Sequence, residues 1–296
     1  MKIHVTLLGF AAAFALGLPA HAASDWAAVG KALGKTGAVQ GGGVYRVGLP
    51  RSDLKVTLDS VAIKPALALG TWVAFRDMGD QAMVMGDLVL THTEVNPVMT
   101  VLEDGGIQIT ALHNHLLRSS PATMYMHIDG HGDAVKLATV LHAALAKSGT
   151  PMEASPPPPP TPAPALDMDT AKLDQILSAK GSVNGGVYQF GIPRAETPKA
   201  AGMAIPAAMG SAIAINFQPT GGGKAAITGD FVLTADEVNP VIKALRANGI
   251  EVTALHNHML DDEPRLFFMH FWANDDAQKL ATGLRAALDQ VKVAGP

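Results

Sequence analysis

The sequence predicts an α+β protein made of two homologous tandem domains, each an antiparallel-rich sheet with helices packed on one face. Three observations carry this. A shift of 143 residues lays Gly42-Gly43-Val44-Tyr45 on Gly185-Gly186-Val187-Tyr188, and makes 20 of 32 positions identical between residues 86–117 and 229–260. Between the copies runs a proline-rich stretch with five consecutive prolines, Pro156 to Pro160, a composition that forms a semi-rigid polyproline II spacer. Within each copy, strand-like and helix-like apolar patterns follow in ββαββα order. The predicted boundaries are a targeting segment at 1–22, a first repeat at 23–150, a Pro-rich linker at 151–165 and a second repeat at 166–296.

The elements read alike in both copies. A short amphipathic pattern predicts a helix at 26–33 and at 170–177, followed by a strand around 44–47 and 187–190. Two apolar runs per copy, 72–75 with 82–90 and 212–217 with 225–233, predict two more strands. A helix is expected from Pro97 to Glu103 and from Pro240 to Ala247, stopped by Gly105-Gly106 or Asn248-Gly249. A hairpin comes next, pairing 107–115 with 123–129 and 250–258 with 266–272. The last helix spans 133–146 or 275–291, with Asp133 or Asp275 near its N-terminus.

Composition bounds the function. At 296 residues and 48% hydrophobic, the chain can fill a core in each copy. It has no cysteine, which excludes disulfides, thiolate metal sites, a cysteine nucleophile and an acylated cysteine anchor. A formal charge of -4 without a Lys/Arg cluster argues against a nucleic-acid partner. The opening Met1-Lys2, the apolar run at 5–18 and Ala20-His21-Ala22 have the layout of a secretory signal peptide cleaved near Ala22. The expectation is a secreted, periplasmic chain without a transmembrane segment, since no later run reaches roughly 18 to 20 apolar residues.

The chemistry-bearing motif is Ala-Leu-His-Asn-His, at Ala111 to His115 and again at Ala254 to His258. Histidines two apart on a strand share a face. On strict alternation Ile250, Val252, Ala254, His256 and His258 form one stripe, and on the return strand Leu266, Phe268, His270 and Trp272 form another. A hairpin centred on Glu263 sets His256 directly opposite His270, and one centred on Ser120 sets His113 opposite His127. Directly opposed β-carbons lie about 4.5 to 5.5 Å apart, within reach of one ion. His256, His258 and His270, and equally His113, His115 and His127, thus make one three-histidine site per repeat. Such a set suits zinc or copper. Read as packing residues at a core edge, the same histidines need no metal.

Glu94 and Glu237 stand in the repeated Glu-Val-Asn-Pro-Val as candidate fourth ligands, Glu237 also as a candidate catalytic base. Thr91-x-x-Glu94 and Thr234-x-x-Glu237 fit a capping box, but that would put Pro97 and Pro240 inside a helix. Asn96 or Asn239 as N-cap with proline at N1 avoids the conflict and leaves the glutamates free. Glu263 and Arg265 occur beside the histidines only in the second copy, as candidate contacts to a polar or anionic ligand. Gly86-Asp87 and Gly229-Asp230 read as bulges, with the aspartates as alternative site members. Gly221-Gly222-Gly223-Lys224 lacks phosphate-loop spacing and reads as a hairpin turn.

Through Glu-Val-Asn-Pro-Val, Val-Thr-Ala-Leu-His-Asn-His-Met-Leu and Glu-Pro-Arg-Leu-Phe-Phe-Met-His, the second copy resembles the LppY/LpqO family of exported bacterial proteins and lipoproteins. The resemblance implies an extracytoplasmic protein of repeated domains and supplies no reaction. Two departures are the missing lipobox cysteine and the absence of Glu-Pro-Arg from the first copy. Three functions follow from the residues: a periplasmic metal-binding protein, a metal-dependent hydrolase acting on a cell-envelope ligand, and a metal-free envelope module. Oligomeric state has no signature in the sequence.

Overall fold

A computed structural model describes residues 24–152 and 165–295. The candidate signal peptide and the five-proline run lie outside the described residues. The first repeat runs α1 (Trp26–Leu33), β1 (Ala38–Gln40), β2 (Val44–Pro50), β3 (Thr57–Leu58), β4 (Val61–Ala62), α2 (Pro65–Ala68), β5 (Gly70–Asp77), β6 (Ala82–Thr91), α3 (Val95–Asp104), β7 (Gln108–His113), β8 (Thr123–Gly132) and α4 (Ala134–Leu145). The second runs α5 (Thr170–Leu177), β9 (Ser182–Asn184), β10 (Val187–Pro193), β11 (Lys199–Ala200), β12 (Met203–Ala204), β13 (Ala212–Gly221), β14 (Lys224–Leu233), α6 (Ala235–Ala247), β15 (Glu251–His256), β16 (Asp262–Glu263), β17 (Phe267–Asp276) and α7 (Ala277–Leu288).

Each repeat forms a six-stranded antiparallel sheet, β1-β2-β5-β6-β8-β7 and β15-β17-β14-β13-β10-β9. The fold is α+β in two tandem copies, as the patterns predict. Alternation assigns the faces. On one face Val47, Phe75, Val84 and Ile128 pack with Leu33, Val98 and Leu141 of the helices, and Phe190, Ile215, Phe231 and Phe271 do the same in the second copy. The other faces of the two sheets are turned toward each other. Residues 54–69 of the first repeat cover part of the second sheet: Leu58, Ile63 and Leu67 pack with Val187, Ala226 and Trp272. The exchange is reciprocal, because Met209 and Ile205 share a core with Val44, Ala74 and Met83. Gln218 fastens this clasp by accepting from Lys64 N–H at 2.8 Å and donating to the Ala62 carbonyl at 2.8 Å. Among the described residues no helix is long and apolar enough to cross a membrane.

Three local expectations change. The hairpins pair two residues out of the expected register, with Ala111 opposite His127 and Ala254 opposite His270. His113 and His256 therefore face Tyr125 and Phe268. A two-residue shift preserves the face, so the histidines still gather. The apolar stripe is interrupted by a bulge at Thr110 and at Thr253. Ile107 and Ile109 point to the helices, whereas Ala111 and His113, past the extra residue, point to the opposing sheet.

The capping box forms in the second repeat. Thr234 N–H donates to Glu237 at 2.8 Å, and Pro240 is tolerated inside α6 on its exposed side. In the first repeat Thr91 N–H donates to Glu94 at 2.7 Å, with Glu94 at the N-cap rather than Asn96. Finally, Gly86 and Gly229 lie in regular register and are not bulges. They allow close strand approach: a β-carbon on Gly229 would fall 1.9 Å from the Ala214 carbonyl oxygen.

Candidate metal centre

All six motif histidines meet between the two inner faces, in one cluster instead of one per repeat. The His113 ring stacks on His256 with centroids 3.5 Å apart, His115 lies 3.7 Å from His270, and His127 lies 3.7 Å from His258. The bulges hold the pieces together. Thr110 Oγ1 donates to the His258 carbonyl at 2.5 Å, Thr253 Oγ1 to the His115 carbonyl at 2.6 Å, and Asn257 Nδ2 to the Thr110 carbonyl at 2.8 Å.

The hydrogen bonds of the rings leave their inward nitrogens without donors to meet. His270 Nδ1 donates to the Gly229 carbonyl at 2.7 Å, and His256 Nδ1 to the Asn257 carbonyl at 2.9 Å. Each ring is thereby fixed as the tautomer whose Nε2 carries a lone pair. Those two Nε2 atoms face each other at 2.8 Å. The Gly86 and Gly210 carbonyls favour the protonated form of His127 and His258, against the stronger effect of burial. The Nε2 atoms of those two histidines are buried without a partner, as are both ring nitrogens of His113, Nε2 of His115, and Oδ1 of Asp87 and Asp230. His258 Nε2 stands 3.2 Å from Asp230 Oδ2 without hydrogen-bond geometry. At the His256–His270 approach acceptor therefore faces acceptor. Backbone carbonyls orienting imidazoles whose second nitrogens converge is the arrangement that metal-binding histidines adopt.

Three groups bring ligand atoms within 4.8 Å of one another: His113, His127 and His256; His113, His115 and His270; and Asp230, His256 and His258. The first two draw on both repeats. Burial is the main cause that depresses every one of these histidines; His270 is held down at about 4, with Asp230 pulling upward and His256 downward. Asp87 is pushed well above the usual carboxylate range by burial and by Asp230, against the pull of Arg46. Burial also raises Asp230, which His270 and His256 partly offset. Both aspartates belong to the centre, as neighbours of His127 and His270 across the β6–β8 and β14–β17 ladders.

The other candidates are engaged elsewhere. Arg194, buried under the sheet, grips Glu237 with two bonds of 2.7 and 3.2 Å, and Glu237 also accepts from the backbone of Thr234 and Lys292. Burial would raise Glu237, but these donors outweigh it and hold the carboxylate below its ordinary range. Glu94 is held the same way by Arg51 and by the N–H groups of Thr91 and Gly149. Neither glutamate joins the histidines in a ligand group. Glu263 pairs with Lys199 in a small three-stranded sheet, and exposed Arg265 binds Asp262 at 3.0 Å. The Arg265 side chain and the Glu263 backbone brace the hairpin loop. Arg51 and Arg194 carried a signal in the sequence, because each ends a repeated Gly-x-Pro-Arg, spaced as the glutamates are.

A cavity of about 890 Å³ opens onto the cluster, reaching Asp87, His115, His127, Asp230, His258 and His270.

Comparison with known proteins matches one family profile, described as a Domain of Unknown Function (DUF1259), to residues 27–147 and again to 171–290. That match replaces the LppY/LpqO assignment suggested by the motifs and keeps the duplication. No curated protein matches the chain. Similar solved structures include the trimeric bacterial microcompartment shell protein PduB, 12% identical over 88% of this chain and 95% of that one with a TM-score of 0.22. EtuB from Clostridium kluyveri is 8% identical over 86% and 88%, with a TM-score of 0.20. Superposition this poor carries no argument about fold, assembly or function.

Proposed function

The chain belongs to the family described as a Domain of Unknown Function (DUF1259), and since that description names no reaction, we propose from the centre itself that the protein binds a divalent transition metal between its two repeats. The observation that supports this most directly is the 2.8 Å approach of His256 Nε2 and His270 Nε2, both left as acceptors by the carbonyls at Nδ1. Two lone pairs at that distance repel, and a cation between or beside them turns repulsion into ligation. Imidazole with carboxylate suits zinc, copper and other first-row divalent ions. The composite site supersedes a separate set in each repeat. A hydrolase using Glu237 as base loses its support, because that carboxylate is fully hydrogen-bonded to Arg194 and the backbone. The signal-like pattern of residues 1–22 supports a role outside the cytoplasm.

The test is metal analysis of protein purified without a histidine tag, stripped and reloaded with zinc, copper or manganese. Stoichiometric metal is expected, together with a rise in melting temperature that chelator reverses. His256→Ala/His258→Ala should abolish both. A wild-type chain that retains no metal under any loading overturns the reading.

A further inference from the structure

The two halves of the centre are related by the duplication yet differ in what lies over them. In the first sheet one row of cross-strand neighbours runs Gly48, Trp72, Asp87, His127, Ala111; in the second the same row runs Gly191, Ala214, Asp230, His270, Ala254. An indole beside one aspartate is thus replaced by a methyl group beside the other. The adjacent position changes from Arg46 to Gln189.

These exchanges narrow one half with a plug. The Trp72 ring lies against Gly210, where a β-carbon would come within 3.0 Å of it. The Arg46 guanidinium stacks over that ring at 3.9 Å, donates to the Ala208 carbonyl at 2.6 Å, and faces Asp87 electrostatically. The Arg46 charge thus lies on the Asp87 side of the centre, without a direct hydrogen bond to that carboxyl. In the other half Ala214 leaves room, Asn216 and Thr228 add neutral polar groups, and Asp230 has no arginine opposite it. Among the described residues its titratable neighbours include the histidines His256, His258 and His270. Symmetry is broken in the ligand geometry as well. Asp230 joins His256 and His258 in a compact group, whereas His115 Nε2 stays 3.7 Å from Asp87.

We propose that the Asp230, His256 and His258 group is the working half of the centre. A metal bound there keeps an open position facing the Ala214 side of the cavity, which admits a small oxygen- or nitrogen-donor ligand along the uncharged wall of Gln189, Asn216 and Thr228. The Asp87 half reaches the same cavity but is narrowed there by the Trp72 ring and the Arg46 guanidinium stacked on it. This rests on the metal reading above and adds to it which half exchanges ligands.

Azide added to the copper-loaded full chain tests this through the charge-transfer absorption it develops on an accessible copper ion. Wild type should bind azide saturably. Ala214→Trp, which copies the plug into the second half, should weaken azide at least ten-fold with copper stoichiometry unchanged, and Trp72→Ala should leave azide affinity within two-fold. Ala214→Leu, a smaller plug, gives the same direction should the tryptophan variant fold poorly. A chain that binds no copper overturns the metal reading and this inference together. Copper retained with no azide band, an Ala214→Leu or Ala214→Trp variant that binds azide as wild type does, or a Trp72→Ala variant shifted ten-fold overturns this inference alone.

Discussion

If the two repeats share one centre, a ligand removed from the first must be felt by an ion bound to the second. His113 and His256 are the pair to cut. Each belongs to two of the three ligand groups, one group contains both, and their rings stack 3.5 Å apart although 143 residues separate them. Structural zinc sites with four ligands gain about 10–16 kcal/mol at pH 7, so one imidazole carries about 3 kcal/mol, or roughly 100-fold in Kd. His113→Ala and His256→Ala should each weaken metal by about that factor. Once either ring is gone, the group containing both is already broken. The double variant should therefore fall short of the multiplied loss by about 0.5–3 kcal/mol, the range found for side chains in contact. Calorimetric titration of zinc into stripped, untagged protein measures all four affinities, and near-ultraviolet dichroism of each variant checks that the sheets remain packed. Independent sites predict another pattern: each single variant losing half of the bound ions while the other half binds at wild-type affinity, with no coupling. That result would refute the shared centre.

Glu237→Gln should destabilise the fold by about 1.5–3 kcal/mol in a denaturant titration, because it removes one charged partner of buried Arg194 while Glu196 and the Val232 carbonyl remain. Metal content measured well below the melting point should not change. Arg265→Ala and Glu263→Ala should each cost under about 1 kcal/mol, as exposed loop contacts do, and should leave metal affinity intact; a large loss of affinity would return these residues to the site. Metal-free protein should gain stability as pH rises from about 4 to 6.5. The six histidines are depressed by burial, so the unfolded chain binds more protons there, and His270 alone, held at about 4, contributes on the order of 3 kcal/mol. Asp87 and Asp230, raised by burial, act in the opposite sense above the ordinary aspartate range, but two carboxyls oppose six imidazoles. A denaturation midpoint that falls from pH 5 to pH 6.5 would contradict the assignment.

Much of the fold was legible because it rests on local patterns. The helix over 26–33 and the long strands emerge where apolar periodicity places them. The histidine face was legible too, since the two-residue error in the hairpin preserves parity. What escaped is long-range. The bulge at Thr110 and Thr253 has no signature in a sequence that reads as continuous alternation, yet it turns the histidines from the helices to the opposing sheet. Glu237 was misplaced because proline at position 240 was weighed against the capping box without regard to exposure. Pro240 sits on the exposed side of α6, and Arg194, 43 residues from Glu237, uses the carboxylate. The meeting of six histidines could not be read from either repeat alone, because each copy contributes half of the cluster and the contact lies across the duplication.

The duplication also explains how such a cluster is tolerated. Six imidazoles and two carboxyls sealed between apolar clasps form an expensive interior unless each polar atom is satisfied, since an unpaired buried group costs about 1–3 kcal/mol. The fold satisfies the outward nitrogens of His256 and His270 with backbone carbonyls, and in the first repeat it sets Arg46 where its charge favours the Asp87 carboxylate. It provides no such partner on the other side. Trp72 and Arg46 on the first sheet, against Ala214 and Gln189 on the second, therefore amount to a division of labour between copies that began alike. One half keeps the histidines in place behind a bulky ring that narrows the shared cavity, and the other leaves its acceptors for a cation and the wider end of that cavity for whatever the cation binds. A pair of identical repeats would have two narrowed halves or two wide ones.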